Sequence, residues 1–338
     1  MLPTRLDLAT LAAAYRAGLK PSTLFAHLHA QAAADTHHAW ISLLPEAELL
    51  ARARALDEQD PASLPLYGVP FAVKDNIDQA GLPTTAGCPD FAYTPAADAA
   101  VVARLVAAGA IPLGKTNLDQ FATGLNGTRS PYGACRNAFD PAYISGGSSS
   151  GSASVVARGL VPFALGTDTA GSGRVPAGFN NLVGWKPTRG AFSTTGVLPA
   201  CRSLDCVSIF ALTVADAQLL AAQMSAFDAT DIYSRPHPVT PLRPSWGARP
   251  RLAMPSVMEW HGDEQQAAAF EQACAVLRAQ GAELTPIDFS PMYALARLLY
   301  EGPWVAERHA VLESFMAEQA DQMDPTVASI VAQAQGQS

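Results

Sequence analysis

The chain has 338 residues, of which only 15% are charged, against roughly 25% in an average soluble domain, so a large buried core is expected. Hydrophobic residues reach 49%, yet no run approaches the roughly 20 uninterrupted apolar residues that span a bilayer, which argues against a membrane partner. A net charge of -8 disfavours binding to a phosphate backbone, which needs clustered Lys and Arg, so no nucleic-acid partner is expected. The five cysteines, Cys88, Cys135, Cys201, Cys206 and Cys274, include no C-x-x-C pair, and so offer neither a disulfide framework nor a zinc ligand set. A reducing, cytoplasmic setting fits such thiols, each read as a small buried hydrophobe. The N-terminal Ala/Leu run contains Asp7 and lacks a basic region followed by a cleavage site, so no signal peptide is expected.

In chain order, residues 6–17, 21–34 and 45–59 have helical character, the second opening on Pro21, and Trp40-Ile-Ser-Leu43 reads as a strand. Together they make a helical N-terminal region over 1–60. From Gly68 short apolar strands alternate with helices: Gly68 to Lys74, a helix over 98–108 ended by Gly109, and a strand from Ala110 to Leu113. This alternation predicts an α/β fold. Between Thr128 and Gly151 the pattern dissolves into Gly, Ser, Pro and Asn, and a loop of that length in a compact domain usually carries function. A helix over 152–157, a strand over 161–165, a Gly-rich turn over 166–173, a strand over 182–185 and a helix over 214–224 follow. Residues 251–254, 263–279 and 283–289 read as strand, helix, strand. No linker, charge block or repeat divides the chain, so one domain over 1–338 is expected.

Three short patterns compete for the chemistry. Gly109-Ala-Ile-Pro-Leu-Gly114-Lys115-Thr116 fits the phosphate-loop pattern. Gly109 ends a helix, however, and Ala-Ile-Pro-Leu reads as a buried strand lacking one amide, so this is a chance match. Gly147-Ser148-Ser149-Ser150-Gly151 fits a nucleophile elbow centred on Ser149. The apolar strand that should precede it is missing, and His237, His261 and His309 sit in contexts that suit solvated or core histidines. The third reading joins two Gly-rich segments, Ile144 to Ala153 and Leu165 to Arg174. Each sets a serine where glycines let backbone approach a ligand. The amides of Thr169, Ala170, Gly171 and Ser172 could donate to the oxyanion formed when a carbonyl is attacked. Without a credible histidine the base is Lys74, which ends an apolar strand and should be desolvated, its pKa falling below about 10.4.

These residues resemble the amidase signature family, over Gly68 to Phe210. The Gly-Gly-Ser-Ser-Ser stretch holding Ser148, the Gly-Thr-Asp-x-Ala-Gly-Ser-x-Arg stretch holding Ser172 24 residues later, and Val73-Lys74-Asp75 carry the likeness. Ala170 departs from the glycine of many members, but keeps its N–H. The resemblance implies a large mixed, twisted β-sheet covered by helices on both faces, a core over 66–215, and a remainder over 216–338 that is C-terminally incomplete. It implies Ser172 as nucleophile, Ser148 on a cis peptide bond as the bridging serine, Lys74 as base, and Asp168 with Arg174 as a supporting pair. No metal or cofactor is implied, and a homodimer is.

Gly81 to Tyr93, Ala200 to Ser208 and Leu299 to Arg308 look like the allophanate hydrolase branch of that family. There, a Tyr and an Arg eight residues apart bind the substrate carboxylate, the spacing of Tyr300 and Arg308 here. A guanidinium can grip a carboxylate bidentately; taken alone, Arg308 would read as a solvated helix residue paired with Glu307 or Glu301. Ala122, Thr123 and Gly124 are expected on the leaving-group side. The implied substrate is a small carboxylate-bearing amide, allophanate, cleaved to N-carboxycarbamate and ammonia in urea or s-triazine degradation. The alternatives are a broad or malonamidase-type amidase and, from a different class, an A-type component of a tRNA-dependent amidotransferase.

Overall fold

The computed structural model describes residues 2–236 and 249–334. Although no linker is visible in the sequence, the chain falls into two compact units, Met1–His237 with Pro303–Ser338, and Pro238–Gly302.

The first unit is built on a six-stranded mixed sheet. Its strands are β1 (Trp40–Leu43), β2 (Pro70–Lys74), β3 (Ile111–Thr116), β4 (Phe163–Thr167), β5 (Val183–Trp185) and β6 (Val207–Ala211), in the order β1-β3-β2-β4-β6-β5. The three central strands are parallel, and β1, β5 and β6 run antiparallel to their neighbours. Alternating side chains enter two separate cores, as a sheet buried on both faces requires. Phe71, Val73, Phe163, Leu165 and Ile209 meet α1 (Leu8–Arg16), α4 (Ala100–Ala107) and α7 (Val214–Met224) on one face. Ala72, Leu113, Ala164 and Phe210 meet α2 (Pro21–Ala33), α3 (Glu46–Asp57) and α5 (Ser150–Ala157) on the other. Phe71 and Phe163 are register partners whose rings stack with centroids 5.1 Å apart.

The N-terminal region is part of this architecture, because β1 supplies one edge of the sheet through its pairing with β3. Strand β4 runs two residues past the expected end, since Gly166 and Thr167 pair with Ser208 and Val207 of β6. Helix α5 begins at Ser150, two residues earlier than expected. The short helix α6 (Arg174–Phe179) and β6 have no counterpart in the sequence-based elements.

In the second unit, β7 (Arg251–Pro255) and β8 (Glu283–Ile287) pair in parallel and α8 (Glu264–Ala279) connects them, as expected for a strand-helix-strand run. Asp263 caps α8 by accepting from the Gln266 amide, and α9 (Ser290–Glu301) follows. The chain then re-enters the first unit as α10 (Trp304–Gln319) and α11 (Pro325–Ala332). Leu312, Met323, Val327 and Val331 pack there with Ala86, Cys88 and Phe121. No helix among the described residues is long and apolar enough to cross a membrane.

Candidate active site

Strands β3 and β4 lie on opposite sides of β2 and run parallel to it. The loops leaving their carboxyl ends therefore diverge, opening the crevice where ligands bind in α/β sheets. Lys74 is the last residue of β2 and Thr167 the last of β4. The Lys74 amine donates to Ser148 Oγ at 2.7 Å and Thr167 Oγ1 at 2.8 Å. It is wholly buried. Burial pulls its pKa down to about 7, against the opposing pull of Asp119, Asp205 and Asp168. An amine with that pKa is about half neutral at pH 7, so its lone pair can accept a proton. Sequence reasoning did not single out Thr167, because its role follows from which strand lies beside β2.

Ser148 arrives on the long loop after β3. The Gly147–Ser148 peptide is cis, and the Ser148 carbonyl accepts from the Asp119 amide at 3.1 Å. Glycine is required before it, since a Cβ at Gly147 would stand 2.2 Å from Asp119 Oδ2. Ser149, the elbow candidate, is fully buried, and its hydroxyl donates to the Thr167 carbonyl at 3.1 Å. That hydroxyl braces the loop against β4. The Ser149 amide donates to the Ser172 carbonyl at 3.2 Å, which joins the two serine loops.

The second loop turns around Asp168. Its carboxylate accepts from Arg174 Nε at 2.9 Å, Arg174 Nη2 at 3.0 Å and the Arg174 amide at 3.0 Å. Burial works to raise the Asp168 pKa, but the Arg174 contacts outweigh it and hold the carboxyl below its ordinary value. Gly171, at φ +138, occupies a conformation that side chains disfavour. Its amide donates to Asp168 Oδ1 at 2.7 Å, so that N–H is already engaged and drops out of the expected set of oxyanion donors. The amides of Thr169, Ala170 and Ser172 make no hydrogen bond to another described residue, and Ser172 is 6% exposed.

On the third side, Phe121 and Ala122 both adopt positive φ, +51 and +53. Such values are uncommon outside glycine, and consecutive ones tend to mark functional turns. Thr123 follows, and Gly124 packs against Asp119 so closely that a Cβ would lie 2.6 Å from its carboxyl. The Arg308 guanidinium donates to Thr123 Oγ1 at 2.5 Å. Arg308 is only 2% exposed, unlike a solvated helix residue, and Glu307 bonds elsewhere, to Ser203. Tyr300 lies in the last turn of α9, in the second unit.

Lys115 is no phosphate-loop lysine. It sits near the carboxyl end of β3, wholly buried, 3.0 Å from Asp75 Oδ1 and 3.0 Å from Thr84 Oγ1. Among the described residues no histidine bonds to Ser148 or Ser172; His237 lies outside the described residues.

The Amidase family model matches residues 23–337. The chain belongs to the Amidase family. Urea amidolyase of Saccharomyces cerevisiae is 54% identical over 308 residues, covering 90% of this chain and 17% of that protein. The solved structure of Kluyveromyces lactis allophanate hydrolase superposes with TM-score 0.92 at 46% identity, over 98% of this chain and 55% of that one. A glutamyl-tRNA(Gln) amidotransferase component from Streptococcus pneumoniae is 46% identical over 195 residues, which is 57% of this chain and 40% of that protein. The chain therefore spans about half of the K. lactis hydrolase and under a fifth of the yeast urea amidolyase.

Proposed function

We propose that this amidase hydrolyses allophanate, using Lys74, Ser148 and Ser172 as a proton relay. The observation that carries the relay is the buried Lys74 amine 2.7 Å from the Ser148 hydroxyl, with its pKa brought to about 7 by burial. Ser172 attacks the terminal ureido carbonyl, and its proton passes through Ser148 to Lys74. The oxyanion is held by the amides of Thr169, Ala170 and Ser172. The tetrahedral adduct collapses by breaking its C–N bond, the proton returns to the leaving nitrogen, and ammonia departs. Water then cleaves the acyl-enzyme by the same relay in reverse, giving N-carboxycarbamate.

Arg308, seated on Thr123, supplies the positive charge for the substrate carboxylate, and Ala122 to Gly124 line the leaving-group side. Asp168 and Arg174 hold the Ser172 loop. The similarity to allophanate hydrolase and urea amidolyase, each over at least 90% of this chain, supports allophanate as the substrate, and with it a role in urea or s-triazine degradation. The amidotransferase similarity covers only 57%, which favours hydrolysis of a small amide over a tRNA-dependent reaction. The five free thiols accord with a cytoplasmic setting. A homodimer is the assembly implied by family resemblance, and light scattering on the purified chain decides it.

Turnover of allophanate, malonamate, urea and simple aliphatic amides, compared by kcat/KM, tests the assignment. Allophanate should lead the series. Equal rates across it would leave a general amidase in place of an allophanate hydrolase.

A further inference from the structure

Glu307 has no part in the reaction described above, yet its carboxylate is closely held. It accepts from the Ser203 amide at 2.8 Å and the Ser203 hydroxyl at 2.5 Å, and lies 3.3 Å from Cys201 Sγ. Burial opposes its charge, but the Ser203 contacts outweigh this and keep the carboxyl below its ordinary pKa. The other end of the same turn is held by Asp205, which is 5% exposed. Asp205 accepts from the Ala200 amide at 2.9 Å, from the Cys201 amide at 3.1 Å, and from the Thr169 hydroxyl at 2.5 Å. Turn 200–205 is thus fastened at one end to α10 and at the other to the loop whose amides face the oxyanion. The next residue on α10, Arg308, is fixed to Thr123. The turn therefore links the helix that carries Arg308, through Ser203 on Glu307, to the Thr169 hydroxyl on Asp205, and Thr169 also carries one of the proposed oxyanion amides.

We infer that Glu307 and Asp205 are positioning residues: they form a strut that sets the Thr169–Ser172 amides against α10, so that the seating of this helix governs turnover as well as substrate binding. The inference rests on the proposed roles of Arg308 and of those amides. Its physical basis is that oxyanion donors act only within a narrow range of distance, so loosening their support lowers the rate of the chemical step. Glu307 reaches no reacting atom. The effect expected of it is geometric, in contrast to a charge effect on its neighbour Arg308.

The test uses the full chain with Glu307→Ala, Glu307→Gln, Thr169→Val and the Glu307→Ala/Thr169→Val pair. Two quantities are read: kcat and KM for allophanate, and the rate at which a fluorophosphonate labels Ser172. Labelling needs an activated serine and oxyanion donors but no carboxylate site. Glu307→Ala should lower kcat and the labelling rate about tenfold, with KM within about threefold, as misalignment of donors predicts. Glu307→Gln should keep most of both rates, because its amide can still accept from the Ser203 N–H and donate to the Ser203 hydroxyl. Thr169→Val should resemble Glu307→Ala, and the double variant should be no slower than the slower single, since both cut one strut. A change confined to KM, an equal loss in Glu307→Gln, or losses that multiply in the double variant would each overturn the inference. Should Glu307→Ala not fold, Ser203→Ala takes its place in the cycle: it removes the hydroxyl donor but keeps the amide contact, so the loss expected of it is smaller than about tenfold and must still not multiply with that of Thr169→Val. A chain that turns over no allophanate speaks against the proposed substrate, and the labelling rates still judge the strut.

Discussion

Because burial brings the Lys74 pKa down to about 7, the proposed activity should follow the neutral fraction of one side chain. The working form is the deprotonated amine, so kcat/KM should rise with pH along a single-proton curve with its midpoint at about 7 and level off above it. A profile flat from pH 5 to 9, measured with a neutral amide so that substrate charge stays constant, would remove Lys74 from the role of base. Ser172→Ala should lower turnover on the order of 10⁴-fold or more, in line with the loss of a nucleophile elsewhere. Active-site titration of that variant should detect no acyl-enzyme, and a surviving burst would transfer the nucleophile to another residue. Arg308→Ala should act mainly through binding. It removes a buried cation and should cost about 2–4 kcal/mol in kcat/KM for carboxylate-bearing amides, mostly in KM, while sparing neutral amides. Comparable losses for both substrate classes would end the carboxylate role.

At the level of elements, several features of the candidate site were visible in the residue pattern. The end of an apolar strand placed Lys74 in a desolvated position, and two glycine-rich segments marked the serine loops. Within the Gly-x4-Gly-Lys-Thr pattern Ala110 to Leu113 reads as strand, whereas β3 runs on through Gly114, Lys115 and Thr116, and the reason for a lysine there is tertiary. It pairs across the sheet with Asp75, while Asp75 also accepts from the Thr85 amide and hydroxyl. This ion pair braces the turn after β2 directly behind the proposed base. Lys115→Met should therefore strand a buried carboxylate and destabilise the fold by about 3–5 kcal/mol. Urea denaturation followed by fluorescence checks this, and a change below about 1 kcal/mol would mean that Asp75 is neutral in the folded chain. The withdrawal of the Gly171 amide from the oxyanion set is likewise an element-level result. Sequence showed a run of N–H groups, and only the turn around Asp168 showed that one of them points inward.

For the whole molecule, burying Lys74 carries a stability cost that depends on pH. Below about 7 the amine is charged in both folded and unfolded chains, and folding bears the full desolvation penalty. Between about 7 and the ordinary lysine value of 10.5 the unfolded chain binds the extra proton, so stability rises with pH across that window. Lys74→Met should accordingly be more stable than the parent at pH 6, and its advantage should shrink by pH 9. Paired denaturation curves at the two values test this. An advantage that is constant with pH would show that the amine is not depressed in the fold.

Residue order was enough to reveal the α/β class and the alternation that builds the central strands, and to nominate the groups proposed for the chemistry. Those follow from local periodicity and from residue types that few structures can use otherwise. Which groups meet is a tertiary matter. Lys74 and Ser148 are 74 residues apart, yet lie within hydrogen-bond reach, because β3 and β4 flank β2 and send their loops over the same sheet edge. The same holds for Thr167 beside Lys74, for Arg308 on Thr123 and for Glu307 on Ser203. Contacts across such separations depend on strand order and helix return, for which the local sequence carries no signal.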